Sequence, residues 1–252
     1  MSTDHILVHD EGGVRTVTMN RPDKRNALTA AMYSTMAEAL EGADASMEVG
    51  AVVIQGSGGF FSGGNDVKDF LTNPPTGPDS AVFRFLRAIV GCGAPIVAAV
   101  DGPAVGIGTT MLLHCDFVLV TPHAKLHLPF IDLGLVPEAA SSLLLPKVLG
   151  HPLAAEMLML GRPIEPERAA AAGLVNAVVP ADRLVAESQA LAMALAAKPR
   201  NALRQTKALM RADRDAVRAV MDKEGALFAE ALRSPEAIAA FQAFLMKSAA
   251  RG

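Results

Sequence analysis

The chain has very few of the larger aromatic residues. Among its 252 residues there is no Trp and a single Tyr, beside ten Phe. Trp and Tyr supply the broad ring surface and the polar edge with which proteins hold flat aromatic ligands. The sequence therefore offers little material for a pocket that grips an aromatic substrate.

Cysteine is also scarce, and no metal motif is present. The two thiols, Cys92 and Cys115, each lie beside apolar residues, so we expect free, buried cysteines of a reducing compartment. His123 and His127 are four residues apart, but Pro129 disfavours the helix on which they would meet. No acidic residue lies between them as in a zinc-binding helix. The sequence predicts no metal ligands.

Charge and hydropathy argue against two further classes of protein, those that bind nucleic acid and those that span a membrane. The formal net charge is −3, and no basic cluster of the kind that binds nucleic acid is present. Every apolar run is interrupted by Gly, Pro or a charged residue before it reaches the length of a membrane span. The first residues show no secretory leader and the last ones no S-K-L address. We expect a cytoplasmic protein that binds neither nucleic acid nor a membrane.

Three common catalytic or nucleotide-binding motifs are missing. The sequence contains neither the G-x-S-x-G of serine hydrolases nor the G-x-x-x-x-G-K-[ST] of phosphate-binding loops. The segment G-P-A-V-G-I-G (102–108) departs from the dinucleotide pattern G-x-G-x-x-G at its third glycine. A nucleotide cofactor held in the Rossmann manner is not expected.

The periodicity of the apolar residues predicts an α/β core. Strands alternate with helices up to about residue 180, and only helices follow. This order is typical of a mostly parallel sheet, here with a helical section appended at the C-terminus. The predicted strands span 6–9, 14–19, 50–55, 97–100, 117–120, 125–128 and 174–179.

Two glycine-rich stretches are candidates for ligand binding. Residues 97–116 combine a buried strand, a turn at Asp101–Pro103 and a predicted helix that begins near Gly106 and Gly108. A helix start has backbone N–H groups without intrahelical partners, and glycine allows a ligand to approach them, so the stretch predicts an oxyanion or anion site. The loop G-S-G-G-F-F-S-G-G-N-D (56–66) either brings backbone close to a ligand or forms a plain surface hairpin.

Among the carboxylates, Glu138 has the most unusual surroundings. It lies between L-G-L-V-P and A-A-S-S-L-L-L, which places it in the first turn of a helix predicted over 139–149. One interpretation is a glutamate that complements the helix dipole. The other is a general base whose pKa is raised by its apolar surroundings. Asp101 and Asp116 are interpreted as turn residues that bond to backbone.

Four motifs occur in an order that is typical of one family: N-R-P-D-K-R-N-A-L (20–28), F-F-S-G-G-N-D (60–66), A-A-V-D-G-P-A-V-G-I-G (98–108) and L-G-L-V-P-E-A-A-S-S (133–142). Together they resemble the enoyl-CoA hydratase/isomerase (crotonase) superfamily over nearly the whole chain. The resemblance implies a spiral of ββα units over residues 1–195 and a C-terminal helical trimerisation region over 196–252. It also implies a homotrimer or a dimer of trimers, and an acyl-CoA thioester substrate without any separate cofactor.

The resemblance also assigns roles to individual positions. By motif position, the backbone N–H groups of Asn65 and Ile107 form an oxyanion hole for the thioester oxygen. Further positions that match the substrate and CoA site are Arg25, Ala27, Ser62, Gly63, Gly64, Asp66, Gly106 and Phe130.

The chain departs from the hydratases of this family at both catalytic glutamates. The corresponding positions hold Thr110 and Phe130, which become wall residues that help to keep water out. The motif around Glu138 instead resembles the Δ3,Δ2-enoyl-CoA isomerase branch, in which an acid at this position is the single base. The resemblance therefore implies conversion of 3-enoyl-CoA into 2-trans-enoyl-CoA in fatty acid metabolism.

Three alternatives stay open. Glu138 could activate water, which would make the protein an enoyl-CoA hydratase of fatty-acid β-oxidation. A reaction on a ring-activated acyl-CoA is disfavoured by the lack of Trp. The chain could also be a CoA-ester-binding subunit without activity. The acyl chain length depends on Phe70, Phe83, Phe85 and the proline-rich segment 74–78.

Overall fold

The computed structural model describes residues 5–72, 77 and 79–249. Most of the proline-rich segment 74–78, which we expected to influence acyl-chain length, therefore lies outside the described residues.

The described strands form two sheets. In chain order, the strands are β1 (Ile6–Glu11), β2 (Val14–Met19), β3 (Ala51–Gly56), β4 (Ile96–Val100), β5 (Pro103–Val105), β6 (Phe117–Val120), β7 (Lys125–His127) and β8 (Ala177–Val178). The larger sheet has the order β1-β2-β3-β4-β6-β8, in which β1 and β2 are antiparallel and the other pairs are parallel. The smaller sheet pairs β5 with β7 in parallel. The α/β class predicted from the sequence is confirmed.

Ten helices connect and cover the strands in the described part of the chain. The last four follow one another without a strand between them, as predicted. The helices are α1 (Ala30–Ala45), α2 (Val67–Thr72), α3 (Ala81–Gly91), α4 (Ile107–Thr110), α5 (Ser141–Met159, interrupted at Gly150), α6 (Pro166–Ala171), α7 (Ala181–Ala196), α8 (Arg200–Met210), α9 (Arg214–Ala231) and α10 (Pro235–Ala249).

The central strands are apolar on both faces because both faces of the larger sheet are covered. In β4, Ile96, Ala98 and Val100 belong to the main core, while Val97 and Ala99 face a second apolar cluster. That second cluster includes residues of α7. A strand buried on both sides has no polar face, which explains the continuous apolar runs of the sequence.

Short pairings outside the larger sheet stack successive turns of the chain. Leu28 pairs with Asn65, and Ser62 pairs with Ala104 of β5. β5 pairs in turn with β7, and Leu126 of β7 pairs with Ile164. Each layer therefore lies on the next, in the spiral that the resemblance implied. The arrangement brings the glycine-rich segment 62–65 directly beside the end of β5.

The C-terminal helices are fixed to the sheet by buried ion pairs. Nζ of Lys207 in α8 lies 2.7 Å from Asp116 Oδ2 and donates a hydrogen bond to the carbonyl of Ala94 at 2.7 Å. Arg211 also contacts Asp116, at 3.1 Å. Asp116 is thus the anchor of a helix far away in the sequence, in addition to accepting a hydrogen bond from the Ile96 N–H at the start of β4.

The helix predicted to begin near Gly106 and Gly108 does begin there, at Ile107, but it is only four residues long. The strand before it was not predicted: Pro103–Val105 is extended and pairs with β7. One further local prediction is wrong. Glu138 does not lie in the first turn of a helix: α5 begins at Ser141, after Ala139 and Ala140 adopt the left-handed conformation. The helix-dipole interpretation of Glu138 is therefore ruled out in its original form.

Both cysteines are free and buried. Within the described ranges, no three His, Cys, Asp or Glu side chains come together as ligands for a metal ion. In the same part of the chain, no helix combines the length and the apolar character that a membrane span needs.

Candidate active site

A pocket between α2, α3 and α9 brings Glu138 and Asn65 together. It holds about 440 Å³ of empty space, including the solvent at its mouth. Glu138 is the single titratable side chain among the described residues that line it, and most of the others are apolar. The lining residues are Asn65, Phe70, Val82, Phe83, Leu86, Glu138, Ala139, Met221, Gly225, Phe228 and Ala229.

The backbone around Asn65 is held like a short parallel strand. The Leu28 N–H donates to the Gly64 carbonyl at 2.8 Å, and the Asp66 N–H donates to the Leu28 carbonyl at 2.9 Å. Because neighbouring residues of a strand direct their polar groups to opposite sides, the N–H of Asn65 faces away from Leu28. It is therefore a donor that this pairing does not use.

Ile107 presents a similar donor on the next layer of the spiral. It is the first residue of α4, so its N–H has no intrahelical acceptor. The preceding Gly106 has φ 54° and ψ −120°, a conformation that strongly favours glycine, and a β-carbon there would meet no atom within 4 Å. The backbone at this point therefore borders open space.

The two donor segments pack backbone against backbone. A β-carbon on Gly64, which has φ 90°, would lie 3.0 Å from the carbonyl oxygen of Val105. The Val105 N–H also donates to the Ser62 carbonyl at 2.9 Å. These contacts place the residues before Asn65 directly beside the residues before Ile107, which is how two backbone donors can converge on one acceptor.

The carboxylate of Glu138 is half-buried and accepts a hydrogen bond from Thr110. The Thr110 Oγ1 to Glu138 Oε1 distance is 2.5 Å. Burial raises the pKa of Glu138 to about 7, although the Thr110 hydroxyl lowers it, and the negative charge of Glu224 raises it further. A carboxylate with a pKa near neutrality is suited to both accepting and returning a proton at physiological pH.

Two left-handed residues direct the chain after Glu138. Ala139 and Ala140 have φ values of 58° and 57°, a conformation that costs a non-glycine residue about 1–2 kcal/mol. The turn is held by its neighbours. The N–H and hydroxyl of Ser141 donate to the Glu138 carbonyl at 3.0 and 2.6 Å, and Nε2 of His114 donates to the Ala139 carbonyl at 2.8 Å.

His114 is buried and neutral. Burial lowers its pKa to about 4, against a smaller upward effect of its bond to the Ala139 carbonyl. A neutral ring with its proton on Nε2 matches the donor role in this contact. His114 therefore supports the Glu138 turn, and it is not among the residues that line the pocket.

The one tyrosine of the chain supports Asn65. Its hydroxyl donates to Asn65 Oδ1 at 2.5 Å. Burial raises the pKa of Tyr33 well above its ordinary value, and the charge of Glu138 adds to this effect. Tyr33 is therefore a neutral donor that fixes the Asn65 side chain at the edge of the pocket.

Most of the residues matched to the CoA site, those at 25, 27 and 62–66, lie together around the loop 20–28. The Gly63 N–H donates to the Arg25 carbonyl at 2.7 Å, and the Gly64 N–H donates to Ser62 Oγ at 3.2 Å. The Arg25 guanidinium lies 5.8 Å from the centre of the Phe60 ring. Ala27 has its carbonyl bonded to Arg21 at 3.1 Å.

Asp66 and Phe130 have structural partners. The Asp66 carboxylate binds the Arg21 guanidinium at 2.6 Å and accepts the Lys68 and Asp69 N–H groups at the start of α2. Phe130 contacts Phe228 edge to face, with ring centres 6.4 Å apart, which places it behind a residue that lines the pocket.

The contribution of α9 to the pocket was not predicted from the sequence. Met221 and Phe228 line the pocket, and the buried Glu224 lies between them on the same helix. The helical spacing of Val217, Met221, Glu224 and Phe228 was available as a signal. An ionisable residue on an otherwise apolar helical face indicates a specific buried partner.

Comparison with known proteins shows the family. The family described as "Enoyl-CoA hydratase/isomerase" has a sequence model that matches residues 9–251 of this chain. The chain is 41% identical to an enoyl-CoA hydratase/isomerase of Pseudoalteromonas atlantica, with a TM-score of 0.93 over 97% of this chain and 98% of the other. It is 47% identical to Pseudomonas aeruginosa OdaA, again with a TM-score of 0.93, over 96% and 99% of the two chains.

The fold and these matches define the class: the chain belongs to the enoyl-CoA hydratase/isomerase family. Among named relatives, it is 36% identical to rat enoyl-CoA delta isomerase 2 over 250 residues, or 96% of this chain. It spans 63% of that relative's length. The resemblance inferred from the four motifs is confirmed.

Proposed function

We propose that the protein shifts the double bond of a 3-enoyl-CoA to give the 2-trans-enoyl-CoA, with Glu138 as the single base. The observation that carries the proposal is that Glu138 is the one titratable group among the described residues lining the pocket, with a pKa of about 7. The similarity to an enoyl-CoA delta isomerase supports the same reaction.

The reaction uses the site as follows. The N–H groups of Asn65 and Ile107 donate to the thioester oxygen, which makes the C2 protons more acidic. Glu138 removes a proton from C2 and forms a dienolate whose negative charge is carried by that oxygen. Glu138 then returns the proton to C4. One carboxylate serves both carbons because it can reach C2 and C4 from the same face of the planar dienolate.

Hydration is disfavoured by the residues that surround Glu138. A second carboxylate to orient water is missing where Thr110 and Phe130 stand, and the Thr110 hydroxyl is already bonded to Glu138. Apolar side chains make up most of the remaining lining. Water would therefore find few partners in the pocket.

The test offers purified protein a 3-enoyl-CoA and, separately, a 2-enoyl-CoA. We expect a double-bond shift with the first and little hydration of the second, and a fall of about 10²–10⁴-fold for Glu138→Gln. Glu167→Gln, at an exposed carboxyl on α6, is the matched control. Fast hydration without a shift would contradict the proposal, and binding without C2 proton exchange would indicate an inactive subunit.

Isotope transfer tests the single base. A substrate deuterated at C2 should give a product with deuterium at C4, detected by mass spectrometry and NMR. Complete loss of the label to solvent, at every reaction time, would contradict transfer by one shielded carboxylate.

The trimeric or hexameric assembly and the cytoplasmic location stay predictions of the sequence. Sedimentation of the pure protein tests the predicted assembly.

A further inference from the structure

We propose that Glu224 is a positioning residue for Glu138: its carboxylate caps α5 and holds the backbone turn that directs Glu138 into the pocket. The inference rests on the proposed function for its kinetic consequences. Its structural basis is independent of the reaction.

Glu224 is a buried carboxylate with three donors. It is 5% exposed and lies on α9. The Ala140 N–H donates to its Oε2 at 2.6 Å, and the N–H and hydroxyl of Ser142 donate to its Oε1 at 3.0 and 2.5 Å. Both oxygens therefore act as acceptors, and these hydrogen bonds favour the ionised form against burial, which raises the pKa of Glu224.

These donors belong to the turn that follows Glu138. Ala140 is the second left-handed residue, and Ser142 lies in the first turn of α5. Ala140 has no side-chain cap of its own for the N–H groups at this helix start. Glu224 supplies that cap from a distant part of the chain, and thereby offsets the cost of the two left-handed alanines.

The same helix contacts the substrate pocket. Met221 and Gly225, which flank Glu224 on α9, line the cavity beside Glu138. A displacement of α9 therefore changes the pocket wall and the Glu138 turn together. Glu224 couples the C-terminal helices to the orientation of the base.

Glu224 also contributes to the electrostatics of Glu138. The groups that face Glu138 are the Thr110 hydroxyl at the end of α4, Tyr33 on α1, the neutral His114 behind the turn and Glu224 on α9. Burial is the main cause of the high Glu138 pKa, and the negative charge of Glu224 adds to it. Loss of that charge should lower the pKa of Glu138.

The test compares Glu224→Gln with Asp222→Asn, which removes an exposed carboxylate from the same helix. Protein labelled with ¹³C at glutamate carboxyls is titrated without substrate, and the Glu138 signal is identified by its absence from Glu138→Gln. We expect the Glu138 midpoint to move to lower pH in Glu224→Gln and to stay in Asp222→Asn. An unchanged midpoint in a folded Glu224→Gln protein would overturn the electrostatic part.

Kinetics test the positioning part. In Glu224→Gln the amide cannot accept all three donors, so the Glu138 turn shifts, and we expect kcat to fall about 10–100-fold with little change in KM. Ser142→Ala is an independent test that does not need a folded Glu224→Gln protein. It keeps the Glu224 charge and removes one donor, so it should lower kcat several-fold without moving the Glu138 titration midpoint to lower pH. If both variants fold, a wild-type kcat in each of them would overturn the proposal. If Glu224→Gln does not fold, a wild-type kcat in Ser142→Ala would be enough to overturn it. A wild-type protein without isomerase activity would instead contradict the proposed function, and the titration would still test Glu224.

Discussion

The hydroxyl of Thr110 donates a hydrogen bond of 2.5 Å to Glu138 Oε1. By the motif resemblance, Thr110 corresponds to a position at which hydratases of the family carry a catalytic glutamate. In the reaction that we propose, a residue without a carboxylate at this position supports Glu138 as the single base, and this is the difference between an isomerase site and a hydratase site on one fold.

Thr110→Val should make Glu138 a base that works only at higher pH. The hydroxyl stabilises the charged carboxylate, so its loss raises the Glu138 pKa above about 7, by about one unit for a hydrogen bond to a charged group. The proposed base acts in its deprotonated form, so the acid limb of the kcat profile should move to higher pH. Activity at pH 7 should fall and recover in part at pH 9.

Thr110→Ser is the matched control, because it keeps the hydroxyl. We expect its pH profile to follow that of the wild type. A Thr110→Val profile that falls equally at every pH would show that the bond orients Glu138 without changing its pKa.

Glu138→Gln should stabilise the protein at alkaline pH. In the folded state the Glu138 pKa is raised from 4.5 to about 7, so the folded protein keeps a proton that the unfolded chain releases. The free energy of unfolding of the wild type therefore falls as pH rises from about 4.5 to about 7, by at most about 3 kcal/mol. The neutral glutamine escapes this loss.

Urea unfolding at pH 5 and pH 8 measures the effect. The stability of Glu138→Gln relative to the wild type should be greater at pH 8 than at pH 5. Glu48→Gln shows the effect of removing an exposed carboxyl in the same measurement. An equal difference at both pH values would contradict a raised Glu138 pKa.

Local sequence patterns predicted most elements of the fold. The apolar runs of β3, β4 and β6 were visible from neighbouring residues. β5 was missed because three residues carry no periodic signal. Its extended state depends on pairing with β7, a contact between distant residues.

The candidate site was predicted where motifs are contiguous and missed where they are not. Asn65 and Glu138 do line one pocket. The left-handed Ala139 and Ala140 could not be foreseen, because alanine favours a helix and contacts with His114 and Glu224 oppose that preference. Those partners come from other segments of the chain.

Gly106→Ala should impair turnover by more than its backbone strain alone explains. The position has φ 54° and ψ −120°, which an L-residue adopts with strain, and a new β-carbon would enter the open space beside the Ile107 N–H. Loss of one oxyanion donor typically costs about 10²–10³-fold in kcat, and we expect a fall of this order.

Gly173→Ala is the control for strain alone. Gly173 also has a positive φ, 88°, and a free β-carbon position, but it lies in the turn after α6. It should lower the unfolding temperature by a similar amount and leave kcat/KM nearly unchanged. Equal kinetic effects of both substitutions would contradict a special role of the backbone at Gly106.

Phe83 and Gly225 should together limit the length of the acyl chain. Both line the pocket, one on α3 and the other on α9, and a β-carbon on Gly225 would lie 2.3 Å from Cζ of Phe83. Gly225→Ala therefore adds a methyl group and displaces the ring, which leaves less room, whereas Phe83→Ala enlarges the pocket. We expect the ratio of kcat/KM for ten-carbon over six-carbon substrates to fall about tenfold in Gly225→Ala and to rise in Phe83→Ala.

In the double variant the new methyl group meets no ring, so its effect should be much smaller than in Gly225→Ala. A double-mutant cycle measures this coupling. Additive effects of the two substitutions would show that the residues act on the substrate separately and do not form one constriction.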